Sequence, residues 1–344
     1  MYQAMTQNVV GHLDPYMFEV VADVRRGLNV VFGASNAMTY AVSGTGSSGM
    51  ETAVANFVEP GAKVAVFSAG YFADRLAEMA RRYGGSVVRL EKPWGETFGA
   101  DEARAFIDRE KPQVAAFVHA ETSTGALQDP AAICPAARES GAIVIADMVT
   151  SLGAVEVAVD RHGIDVAYSC TQKGLSCPPG LSPVTVSQRA VQWLDARSAP
   201  CRSWYLDLKL LRDYYDFRKY HHTASSTLYY ALQAALRLIE AEGIQARWQR
   251  HADAHAYFVE QIEAMGLEMH VAPGARIPNL NTVAVPDGVD DAAVRARLLK
   301  EAGIEIAGGF GPLAGKIFRI GLMGPLATRS GVDSFMDAFK AALG

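Results

Sequence analysis

From Met38 to Ser187 the chain alternates short apolar, β-branched runs with amphipathic stretches, and this rhythm constrains the fold more than any single motif. Strands are expected at Met38–Ser43, 64–67, 86–90, 114–118, 143–146, 165–170 and 183–187. Helices are expected between them, at about 71–83, 100–109 and 130–139. Strands that are apolar on both faces and separated by helices imply a mainly parallel sheet covered on each side, a three-layer α/β/α architecture. Ligands on such sheets collect beyond the carboxyl ends of the strands. Four polar or glycine-rich loops fall there, at 43–49, 67–72, 119–125 and 147–151.

The flanks extend the plan. Asp14 and Pro15 read as N-cap and first residue of an amphipathic helix carrying Phe18, Val21, Val24, Leu28, Val31 and Phe32 and stopping near Gly33. The segment 202–226 is polar and aromatic and reads as a loop and interface. A long helical pattern runs from Leu228 to Met265, with Gly243 a break. Beyond it, strands at 281–285 and 318–322 among helices at about 290–302 and 331–343 describe a smaller α/β unit. The expected domains are 1–240, the larger, and 241–344. A chain of 344 residues exceeds the size at which one core usually stops growing.

Charge narrows the partners. A formal net charge of −5 gives no electrostatic footprint for nucleic acid or an anionic membrane surface, so small molecules are the expected ligands. Cys134, Cys170, Cys177 and Cys201 form no zinc-type spacing, and the adjacent His221 and His222 have no third ligand nearby, so no metal is expected. No run of apolar residues approaches a membrane span and no leader pattern opens the chain. The expected location is the cytoplasm.

Three features carry chemistry. Gly44-Thr45-Gly46-Ser47-Ser48-Gly49 turns a strand into a helix, and backbone N–H groups at a positive helix end hold phosphate. The turn also matches a dinucleotide fingerprint, but no acid stands at a strand end about twenty residues on, which weakens a dehydrogenase reading. Lys173 lies between Gln172 and Gly174 among small and apolar neighbours, ahead of Pro178-Pro179-Gly180, a setting for a buried amine. Asp147 ends a strand. A phosphate cup, an amine and an acid together suit pyridoxal 5′-phosphate, whose aldehyde takes a lysine as a Schiff base and whose ring nitrogen takes an acid partner. Separately, Arg319 sits in an apolar strand, where an unpaired guanidinium is costly and a carboxylate partner is expected.

These residues fall in a familiar order. Thr45-Gly46-Ser47, Gly70-Tyr71-Phe72, Glu121 to Gly125, Asp147 to Ser151, Thr171-Gln172-Lys173, Tyr220 to Thr223, Gly308-Gly309-x-Gly311 and Arg319-Ile320-Gly321 resemble the alanine-glyoxylate/serine-pyruvate aminotransferases. These are class V enzymes of fold type I, and the resemblance covers nearly the whole chain. It implies that Lys173 forms the Schiff base and then moves the substrate proton, while Asp147 pairs with the protonated ring nitrogen. It also implies that Phe72 stacks on one ring face, Val149 packs the other, and Thr122 bonds the ring's phenolic oxygen. Thr45, Gly46, Ser47 and Gln172 would hold the phosphate. Tyr220 and Thr223 would join them from the second subunit of a homodimer. Arg319 would clamp the substrate carboxylate.

The reading that follows is a ping-pong transfer of an amino group from alanine, serine or aspartate to glyoxylate or pyruvate. A lyase of the cysteine desulfurase type is the nearest alternative, disfavoured because no cysteine stands on a loop just before Arg319. A cofactor-binding homologue without turnover is the other. The family's Gly-Pro-Gly-Pro turn, which lines the substrate pocket, and its dimer arm lie ahead of where this sequence begins, which leaves the substrate side of the pocket the least specified.

Overall fold

The computed structural model describes residues 1–197 and 199–344. Seven strands form the large sheet: β1 (Met38–Ser43), β2 (Lys63–Ser68), β3 (Ser86–Glu91), β4 (Val114–Val118), β5 (Ile143–Asp147), β6 (Val166–Tyr168) and β7 (Leu181–Val186). Their order is β1-β7-β6-β5-β4-β2-β3. Every pairing from β6 through β5, β4 and β2 to β3 is parallel, and β7 alone runs against its two neighbours. The central strands β4 and β5 are buried along their whole length, as both-face coverage demands.

Local chemistry sets several boundaries. The helix Pro15–Phe32 starts where the Asp14 carboxylate accepts the Tyr16 N–H (2.8 Å) and stops where Gly33 turns left-handed at φ 59°. The long helical pattern divides at Gly243, with φ 83°, into helices Ser226–Glu242 and Ile244–Ala264. The stretch expected to be a loop from 202 to 226 contains a helix, Leu208–Phe217. Asp207 caps it, and Leu208, Leu211, Tyr214 and Tyr215 are buried along its inner side. Its outer face is charged and its inner face aromatic, so the pattern resembled a polar aromatic loop.

A second sheet is antiparallel: β8 (Leu280–Ala284), β9 (Ala307–Gly308) and β10 (Ile317–Gly321), in the order β8-β10-β9. Its core joins Phe258, Ile262, Val283, Phe318, Phe335 and Phe339. The core of the large sheet draws on residues from Met17 to Ile239. None of the described helices is long and apolar enough to cross a membrane.

Candidate active site

The carboxyl ends of β1, β2, β4 and β5 open onto one cleft of about 1050 Å³ that is closed on its far side by the second sheet. Thr45, Gly46, Ser47, Phe72, Thr122, Asp147, Val149, Gln172, Lys173 and Arg319 all line it. Ten of the twelve residues expected from the sequence therefore meet in one place.

At the cup, β1 runs into the helix Gly46–Phe57 through Thr45, whose side chain makes no capping bond. Thr45, Gly46 and Ser47 line the cleft, and the Gly46 and Ser47 amides, at the first two helical positions with no intrahelical acceptor, offer an anion cradle there. Gly44 turns at φ 120° and donates its N–H to the Gly180 carbonyl (2.9 Å), tying the cup to the end of the lysine loop. Gly46 passes close to the cleft floor: a Cβ there would stand 3.0 Å from Val149 and 3.2 Å from Cys170.

Asp147 closes β5. It accepts the Val149 N–H (2.8 Å) and the Tyr168 hydroxyl (3.0 Å), and it is 2 % exposed. Burial lifts its carboxyl from 3.8 to about 7 despite those two donors. No ion pair to Asp147 forms among the described residues, so a cationic group placed against it would restore the carboxylate. Lys173 lies across the cleft floor. Burial, with a smaller push from Arg319, holds its amine below the ordinary lysine range, which favours the neutral, nucleophilic form.

The loop carrying Lys173 is held from behind. Gly174 packs so tightly that a Cβ would lie 2.3 Å from the Leu152 carbonyl. Arg247, 5 % exposed, donates to the carbonyls of Gly153 (2.9 Å) and Gly174 (2.8 Å) and to the Ser176 hydroxyl (3.2 Å). Glu242 balances its charge (2.8 Å). Sequence reasoning missed Arg247, which stands among other charged residues on a stretch read only as helical.

On the opposite wall, Phe72 opens the helix Tyr71–Arg82. Glu121 caps that helix, accepting the N–H groups of Phe72 (3.1 Å) and Ala73 (3.3 Å) while the Ser123 hydroxyl donates to its other oxygen (2.6 Å). Gly70 makes room for this: a Cβ there would fall 2.2 Å from Glu121 Cγ. Burial raises the Glu121 carboxyl. The next residue, Thr122, bonds the Thr150 hydroxyl.

Arg319 is 8 % exposed and projects from β10. Its Nε donates to the Gly308 carbonyl (2.7 Å) and one terminal nitrogen to the Thr122 carbonyl (3.1 Å), while the guanidinium lies 4.0 Å from the Phe310 ring centroid. The carboxylate partner expected from its apolar strand is supplied by no described residue: two carbonyls and a ring hold it, and a terminal nitrogen is left for a ligand. Arg75 also lines the cleft and was not anticipated. It follows Phe72 by three positions, the spacing that puts two residues on one helix face, and that spacing was the available signal.

Tyr220 and Thr223 lie elsewhere. Both sit in the non-helical stretch before Ser226, exposed and outside the cleft of their own chain. The neighbouring His221 and His222 are buried and joined Nδ1 to Nδ1 (2.9 Å), and His222 Nε2 reaches the Ser43 hydroxyl (2.9 Å) beside the cup.

The donor set fits the phosphorylated pyridine cofactor of the resemblance. There is a cup of hydroxyls and free amides, a buried carboxylate without a cation, and an amine of lowered basicity, all on one cleft.

The sequence profile described as aminotransferase class-V matches residues 1–334. The (S)-ureidoglycine--glyoxylate transaminase of Bacillus subtilis is 36 % identical over 360 residues, covering 99 % of this chain and 86 % of that protein. The alanine--glyoxylate aminotransferase of Drosophila melanogaster is 35 % identical over 350 residues, covering 99 % of this chain and 88 % of that one. Among solved structures, an alanine--glyoxylate aminotransferase from Nostoc sp. superposes with a TM-score of 0.98 at 47 % identity, covering 100 % of this chain and 91 % of that chain.

Proposed function

The chain belongs to the class-V aminotransferase family, and from that premise we propose that it transfers the amino group of a small amino acid, alanine or serine first, to glyoxylate. The cofactor is pyridoxal 5′-phosphate, as the family requires, and the substrates are an amino acid and an oxo acid. When bound, the cofactor's protonated ring supplies an electron sink that makes the substrate Cα–H acidic. The observation that carries the reading is Arg319, a buried guanidinium with no acid partner among the described residues, facing the same cleft as the Lys173 amine.

The protein's own groups divide the work. Arg319 holds the substrate carboxylate through its remaining terminal nitrogen, and the carbonyls of Gly308 and Thr122 fix the guanidinium plane beforehand. Lys173 Nζ, once released and with its basicity lowered by burial, takes and returns the proton at the substrate carbon. Asp147 keeps the ring nitrogen protonated, with Tyr168 and the Val149 amide orienting its carboxylate. Thr45, Gly46, Ser47 and Gln172 would hold the phosphate, Phe72 and Val149 would pack the ring faces, and Thr122 would bond its phenolic oxygen.

Two further points belong to this reading. Tyr220 and Thr223 complete the phosphate site of a second copy of the chain, which their exposure outside their own cleft supports. Residues 1–240 and 241–344 form two domains with the cleft between them, a division that the separate cores of the two sheets support.

The test is a pair of half-reactions followed by absorbance, donors and acceptors varied one at a time. Alanine or serine should convert the bound cofactor to its amine form and glyoxylate should reverse it. A cofactor spectrum that no small amino acid changes would sink the proposal. Sulfide release from cysteine would favour the desulfurase reading instead.

A further inference from the structure

The cup described above has amides and hydroxyls but no cation among the residues that the sequence assigned to it, and a phosphate ester carries nearly two negative charges at neutral pH. One cation stands beside it. Arg75 lines the same cleft and donates from a terminal nitrogen to Ser47 Oγ (3.2 Å). Its guanidinium lies 4.9 Å from the Phe72 ring centroid and 5.2 Å from that of Tyr71, so two aromatic rings hold the cation beside the cup.

Its neighbours do not neutralise it. Asp74, the adjacent acid, is paired with Arg89. No ion pair to Arg75 forms among the described residues. Arg75 is one helical turn from Phe72, and Glu121 anchors the start of that helix through the Phe72 and Ala73 amides. A single capped helix therefore presents an aromatic ring and a guanidinium to the cleft from fixed positions.

We propose that Arg75 is the charge partner of the cofactor's phosphate, closing the cup beside Ser47. The inference rests on the pyridoxal phosphate reading and assigns to that site a residue that carries none of the ring chemistry. Arg75 bonds Ser47 Oγ and leaves further N–H donors of its fork for phosphate oxygens. It is a binding residue: its contribution depends on the phosphate and is absent for the unphosphorylated aldehyde.

The test compares two ligands on the full-length protein stripped of cofactor. Wild type and Arg75→Gln are titrated with pyridoxal 5′-phosphate and with pyridoxal, binding being followed by fluorescence quenching. Arg75→Gln should weaken the phosphate ester by about tenfold or more, leave pyridoxal unchanged, and flatten the salt dependence of ester binding. Arg75→Lys should recover part of the loss. Equal weakening of both ligands would make Arg75 a packing residue under Phe72 and overturn the proposal, as would an unchanged affinity for the ester. A wild-type protein that binds neither ligand would overturn the cofactor reading itself, an outcome distinct from either.

Discussion

Arg247 donates to the carbonyl of Gly174, the residue that follows Lys173, at 2.8 Å. The same guanidinium holds Gly153 and Ser176, so a helix beyond Gly243 grips the loop that presents the amine. Removing it would leave two buried carbonyls without donors. Arg247→Met should cost on the order of 2–4 kcal/mol in urea unfolding and lower kcat more than it raises KM, because the amine loses its support while Arg319 does not. Wild-type stability would show that water replaces the guanidinium.

Arg319 is the proposed carboxylate clamp. Arg319→Lys keeps the charge but loses the planar fork, and Arg319→Gln loses both. KM should rise for amino donor and oxo acceptor alike, by about 10-fold to 100-fold for Lys and more for Gln, with the absorbance of the bound cofactor unaltered. Equal KM values in steady-state assays of wild type and Arg319→Gln would remove Arg319 from the substrate site.

Asp147 couples the site to pH. Its folded carboxyl titrates near 7 and its unfolded one near 3.8, so between those values the cofactor-free fold holds a proton that the unfolded chain has lost. This group's contribution is fully present below about 4 and is lost as pH rises through about 7. Asp147→Asn removes that dependence. In thermal unfolding of cofactor-free protein, the variant should gain on wild type between pH 4 and pH 8 by on the order of a few kcal/mol. With cofactor bound the order should reverse, the ionised acid then having a cation beside it. A stability gap independent of pH would contradict the buried, protonated carboxyl.

Glu121 and Gly70 act as a pair. Glu121→Ala should destabilise the fold by about 1–3 kcal/mol through loss of the helix cap and change the visible circular dichroism of bound cofactor by loosening Phe72. Gly70→Ala should do the same through steric displacement of Glu121. Normal dichroism in both variants would show that Phe72 holds its place unaided.

Tyr220 and Thr223 give the dimer proposal its test. Neither Lys173→Ala nor the double variant Tyr220→Phe/Thr223→Ala should turn over at more than a small fraction of the wild-type rate. Mixed and re-equilibrated, they should form heterodimers with one intact site each, and activity should return. A monomer in sedimentation, or mixtures no more active than their parts, would exclude donation across subunits.

Much of this was legible in the residues because the governing interactions are local. Asp14, Pro15 and Gly33 bracket their helix through caps, and both-face burial writes β4 and β5 as unbroken apolar runs. The site was legible where short strings carry the chemistry, as at Thr45–Ser47 and around Lys173. What escaped depends on distance. Arg75 and Arg247 sit on helices among other charged residues, and only the folded chain shows which of those charges turn inward. The helix Leu208–Phe217 escaped because its buried side is tyrosine and leucine packed on residues far earlier in the chain, Tyr215 to the Ala41 carbonyl among them (3.3 Å). β9 is two residues long and ends in glycine, below any periodic signal.

The antiparallel pairing of β1 with β7 has a consequence for how the protein comes into being. β1 is an edge strand whose sheet neighbour is β7, with Ser43 opposite Leu181 and Gly44 bonded to Gly180. During synthesis the strand that leads into the cup waits unpaired while the ribosome adds the rest of the large sheet, roughly 7–30 s at common elongation rates. No nascent chain released or stalled before Val186 has a cup to offer, and the cofactor can stabilise only a molecule whose sheet is already complete.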